Sequence, residues 1–155
     1  MDRSLIEKYV AGGSQLREAY AGLTKADLFA VPIPNTWSLH QIAIHMMDSD
    51  LIGSDRMKRI ACMEKPLLIG YDETGFNNLP GIELIDAFEA IELFAKNRVF
   101  TGLILTQLPD ESFKRYGIHS EKGKVTLEEM VANYIQHLEG HLEWIAKKRR
   151  MVCNG

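Results

Sequence analysis

The stretch from Thr126 to Ile145, TLEEMVANYIQHLEGHLEWI, decides how this chain is built. Leu127, Met130, Val131, Tyr134, Leu138, His141 and Ile145 recur at steps of three and four, the spacing that lines side chains along one face of an α-helix. Thr126 and Glu129 stand three apart, as a capping box requires, so the helix opens there and runs to about Arg150.

Working outward, three more long segments carry the same periodicity. One starts at Ser38, with Gln41 completing a capping box, and runs to about Glu64, ahead of Pro66. Another spans roughly Gly81 to Leu108 and ends before Pro109. The first begins near Ser4, with Glu7 at capping-box spacing, and continues to about Gly22; Gly12-Gly13 allows a bend or a late start. Thr24 to Asp27 reads as a cap and a short helical turn, and Val31 to Asn35 as extended chain around two prolines. The polar stretch Asp110 to Lys124 reads as a loop with a helical turn near Phe113. Nothing alternates with period two, so no strand is expected. Helices of roughly 30–40 Å can close around one apolar seam, giving an all-α four-helix bundle in a single domain, residues 1–155. Two connections of about fifteen residues are long for a minimal bundle, and one that crosses an end could cover a pocket.

Composition is that of an ordinary globular protein, 46% hydrophobic and 25% charged. The net charge of −3 offers no field to gather nucleic acid or an anionic membrane. Two cysteines, Cys62 and Cys153, form no CxxC pair, and no secretory leader or membrane-length apolar run is visible. The expectation is a cytoplasmic protein. Lys147 to Arg150 reads as a solvated basic end complementing the helix dipole.

Five histidines occur. His137 and His141 lie one turn apart on the last helix, which can offer two ring nitrogens to one ion; a chance pair on a surface or core is the plain alternative. The zinc-protease pattern fails, because Leu138 occupies the place where its glutamate must stand. The di-iron pattern fails too, because no histidine has Glu three residues before it. His45 is the natural third ligand. His40 points elsewhere on its helix, and His119 reads as a solvated loop histidine. Asp48, one turn past His45, can orient an imidazole or stand as an exposed helix acid. Trp37 reads as a packing residue at the bundle end. Arg98 reads as an arginine snorkelling to the surface, with a substrate carboxylate as the other reading.

The run Pro34 to Asp48, PNTWSLHQIAIHMMD, enters a helix through Trp-Ser and places a histidine seven residues after the serine. It resembles the DinB-like superfamily, which includes the YfiT-like metal-dependent hydrolases. The His137/His141 pair, Gly22 to Leu28 (GLTKADL) and Val125 to Glu129 (VTLEE) are similar as well, so the resemblance covers nearly the whole chain. It implies a DinB/YfiT-like bundle with a non-sequential helix order, often a homodimer. By matching position it implies one divalent ion (zinc, nickel or similar) held by His45, His137 and His141. It implies a small-molecule substrate and a metal-dependent reaction, either transfer involving a low-molecular-weight thiol or hydrolysis. The alternative is a non-catalytic metal-binding helical dimer in stress response. No residue stands out as a general base; Asp48 and Tyr134 are merely near.

Overall fold

The computed structural model describes residues 2–153. Four long helices carry the fold: α1 (Ser4–Tyr20), α3 (Leu39–Cys62), α5 (Ala87–Gln107) and α6 (Leu127–Cys153). Two short helices, α2 (Lys25–Phe29) and α4 (Glu73–Asn77), lie in the connections. The capping boxes of Thr24 with Asp27 and of Ser38 with Gln41 both form, and they fix where α2 and α3 begin. Thr126 Oγ1 accepts from the Glu129 amide at 3.2 Å, while the Glu129 carboxylate accepts from the Thr126 amide at 2.8 Å, opening α6 in the same way.

Each of α1 and α3 packs along both α5 and α6. α1 therefore stands diagonally across from α3, and α5 from α6, so that α3 and α5 are the one pair of consecutive long helices that pack as neighbours. The bundle is all-α in its core, with the non-sequential order that the resemblance implies.

Close approach explains the glycine pair. α1 runs unbroken through Gly12-Gly13, with neither bend nor late start. A Cβ on Gly12 would lie 2.3 Å from Arg98 Nη1, and one on Gly13 would lie 2.9 Å from the Ala95 Cβ. The missing side chains let α5 and α6 sit against α1, which offsets the lower helix propensity of glycine.

Three expectations about helix ends and connections need correction. First, α5 starts at Ala87, not near Gly81. The Asp86 carboxylate accepts from the Phe88 and Glu89 amides and caps it, whereas Gly81 sits at φ +95° before a 3₁₀ turn, Ile82–Leu84. Second, the connections contain strands. β1 (Leu67–Leu68) pairs in parallel with β2 (Tyr116–His119), which pairs antiparallel with β3 (Gly123–Thr126). Third, the basic end of α6 is not simply solvated. Arg149 donates to the Ala19 and Ala21 carbonyls at 2.8 and 2.6 Å, closing the end of α1, and Lys148 is buried against Thr36 Oγ1.

The core falls into two apolar clusters, one around Leu16, Leu39, Phe94 and Ile145, the other around Ile6, Met57, Leu105 and Val131. Between them lies Arg98, fully buried rather than snorkelling. Its guanidinium is held between the Tyr9 and Phe94 rings, 4.4 Å from each centroid. It donates to Asp50 Oδ1 at 2.8 Å, to the Tyr9 carbonyl at 3.1 Å and to the Tyr134 carbonyl at 2.9 Å. These contacts commit it to the core, so it is not available to a substrate carboxylate. No described helix is long and apolar enough to cross a membrane.

Candidate metal centre and its two cavities

The ligand positions follow from the caps. With α3 registered at Ser38, His45 points into the seam between α3 and α6; with α6 registered at Thr126, His137 and His141 meet it from one face. One ring nitrogen from each of the three lies within 4.8 Å of the others. His45 Nε2 and His137 Nε2 are 3.1 Å apart, and the three ring centroids are separated by 4.7 to 5.1 Å.

The donor set fits a divalent ion. Two nitrogens on a tetrahedral zinc, each about 2.0–2.1 Å from the metal, stand about 3.3 Å apart. The His45–His137 separation is close to that value, and the His141 nitrogen lies within 4.8 Å of both. Nδ1 of His137 and Nδ1 of His141 are buried with no hydrogen-bond partner, so the protein alone leaves this cluster unsatisfied. Burial is the main reason all three rings resist protonation, with neighbouring imidazoles adding to it for His45 and His137. It pulls the His45 pKa down to about 4 and that of His137 to about 3, and lowers that of His141. At neutral pH the three lone pairs are therefore free to bind a cation.

Other candidates divide clearly. Asp48 is half-buried and makes no hydrogen bond to any of the three imidazoles. His40 stacks on Phe29 at 4.4 Å, and its Nε2 meets the Ile85 carbonyl at 2.8 Å, away from the centre. Trp37 packs against the core, and its ring lies 4.9 Å from that of His45.

Two cavities reach the cluster from different sides. One, about 120 Å³, ends at His137 and is lined by Ser49, Arg56, Tyr71, His119 and Tyr134 among others. The second, about 160 Å³, ends at His141 between Trp37, Trp144 and Ile42, with Lys148 at its edge. The first contains what the sequence reading missed. His119 is a buried residue of β2, not a solvated loop histidine. Its Nδ1 accepts the Glu121 amide at 3.2 Å, and burial lowers its pKa. The neutral ring thus carries its proton on Nε2. The alternation of Tyr116 to His119 was the available signal, but four residues are too few to stand out.

A family model described as the DinB superfamily matches residues 9–145. YfiT of Bacillus subtilis (strain 168), provisionally named a metal-dependent hydrolase, is 26% identical over 140 residues, which span 90% of this chain and 79% of that protein. The solved structure of YfiT from Bacillus subtilis, described as a four-helix bundle of unusual topology, superposes with a TM-score of 0.89 at 24% identity, covering 95% of this chain and 85% of that one. A DinB-like protein from the same species, YjoA, superposes with a TM-score of 0.64 at 16% identity over 94% and 91% of the two chains. With its helix order, its three converging histidines and a match over most of its length, the chain belongs to the DinB superfamily.

Proposed function

We propose that this protein is a metal-dependent enzyme acting on a small molecule, by transfer involving a low-molecular-weight thiol or by hydrolysis. One observation carries this reading: of the three converging imidazoles, His137 lines one cavity and His141 lines another. A purely structural ion needs no such access, whereas a transfer reaction needs room for two partners. His45, His137 and His141 would hold one divalent ion, zinc or nickel, and the provisional name of YfiT agrees with that. Such an ion supplies positive charge that lowers the pKa of a thiol or water.

The chain's own groups supply the rest. The Tyr134 hydroxyl, its pKa raised mainly by burial, stays protonated as a donor beside His137. His119 offers an Nε2–H donor to the same cavity. Trp37 and Trp144 present an apolar wall on the other side, suited to an apolar co-substrate. Val99, Phe100, Leu103 and Ile104 leave an apolar stripe exposed along α5, which supports a homodimer paired through that helix. The reading places the protein in the cytoplasm.

The test is spectroscopic. The cobalt-substituted protein should develop a thiolate-to-metal charge-transfer band on adding a small thiol, with one proton released per site near neutral pH. A spectrum indifferent to every thiol tried removes the thiol branch and leaves hydrolysis, to be tested with ester and amide panels. Inactivity in both would favour the non-catalytic metal-binding dimer.

A further inference from the structure

The cavity that ends at His137 is rich in donors and poor in acceptors. Arg56, 9% exposed on α3, is anchored through one guanidinium N–H to the Ile69 carbonyl at 2.5 Å. It also lies against the Tyr134 hydroxyl but makes no ion pair among the described residues, which leaves guanidinium donors for whatever enters the cavity it lines. Lys122 lies on the same wall, also without an ion pair. His119 adds its Nε2–H, and the buried Tyr71 hydroxyl, near Ser49, adds a further donor to the same lining. Against these stand two carboxylates, Glu73 in the wall and Glu121 beside His119. A buried guanidinium without a counter-ion is costly to maintain unless a ligand supplies the negative charge.

We propose that this cavity is the recognition pocket for a small ligand bearing a carboxylate or phosphate group, received by Arg56, Lys122 and His119 while the ligand's other end faces the three-histidine centre. Its orientation toward the histidines rests on the functional reading above; the anion site itself does not. Arg56 supplies the planar fork that matches two anionic oxygens, and Lys122 adds a mobile charge at the mouth. Glu73 would discriminate against a ligand with a second negative charge at that edge.

The experiment titrates the zinc-loaded protein separately with succinate and with inorganic phosphate, following backbone amides by nuclear magnetic resonance. Saturable shifts should appear at Ser49, Asn133 and Tyr134, and the tighter of the two probes identifies the anion type. Arg56→Gln should weaken binding at least tenfold, with Arg56→Lys in between. Two changes at exposed positions avoid any folding defect: Lys122→Gln should weaken binding at least threefold, and Glu73→Gln should tighten it by a similar factor. Tightening in Glu73→Gln is not something a merely structural role could produce. The proposal is overturned if no saturable shift occurs, if the Lys122 and Glu73 variants bind like the parent, or if binding survives Arg56→Gln but vanishes in His137→Ala. Zinc content measured on the same samples reports the metal reading separately: anion binding without zinc leaves this site standing and removes that one.

Discussion

Replacing Arg98 by leucine removes the cation at the centre of the bundle while keeping an apolar side chain between the Tyr9 and Phe94 rings. Asp50, 1% exposed, then keeps only neutral partners, Asn97 Nδ2 at 2.8 Å and the Tyr9 hydroxyl at 3.3 Å. Leaving one member of a buried pair uncompensated costs about 3–5 kcal/mol. Burial already raises the Asp50 pKa, with Arg98 foremost among the groups pulling it back, so the substitution raises it further. A carboxyl whose folded pKa exceeds its unfolded value, about 3.9, makes the folded state the better proton binder. Its contribution is complete below the unfolded value and lost as pH rises through the folded one. The Arg98→Leu deficit relative to the parent should therefore shrink from pH 7 to pH 5, by up to about 1.4 kcal/mol per pH unit within that window. Urea unfolding of parent and variant at both pH values measures this, because the histidine contributions are common to both and cancel. Adding Asp50→Leu should restore much of the loss. A deficit under about 1 kcal/mol at pH 7, or one that does not change with pH, refutes the reasoning.

His137→Ala or His141→Ala should abolish stoichiometric zinc or nickel binding in calorimetry, and full binding in both variants would sink the ligand assignment. Because burial holds the three imidazoles below their unfolded pKa of about 6.5, the metal-free protein should be most stable above that value and lose stability as pH falls below it; chemical denaturation at pH 7 and 5 reads the sign. Gly53→Ala places a Cβ 2.3 Å from the Tyr134 ring. It should cost about 1–3 kcal/mol and displace Tyr134, seen as a change in its ring signals. Phe100→Glu with Leu103→Glu should turn the proposed dimer into a monomer of unchanged helicity in sedimentation analysis; a wild-type monomer would refute the α5 interface.

The long helices were legible because each states its period and its cap locally: Ser38 with Gln41 and Thr126 with Glu129 need no knowledge of the rest of the chain. The histidine centre was legible for the same reason, since His45, His137 and His141 inherit their directions from those helices. What remained hidden depends on partners far away in sequence. Leu67–Leu68 becomes a strand only because Tyr116–His119 arrives beside it. Arg98 is buried only because Asp50 and two carbonyls from other helices meet it. The Arg56 cavity is assembled from α3, both connections and α6, and no short stretch announces it. Asp86 was a local signal passed over, a cap at the true start of α5.

The diagonal placement of α1 and α3 also sets the order in which the chain can fold during synthesis. These two helices leave the ribosome first, yet they reach each other through little more than tyrosine hydroxyls, Tyr9 to Asp50 and Tyr20 to the Leu39 carbonyl. Their apolar faces are made for α5 and α6. Until α5 emerges, the nascent chain holds two amphipathic segments without a mate, and no stable hairpin precursor exists. Assembly waits on contacts between residues far apart in sequence, which slows it relative to an up-down bundle of equal length. A chain interrupted after α3 would expose Ile6, Leu16, Ile42 and Met57 together, making such truncated products natural clients for chaperones and proteases.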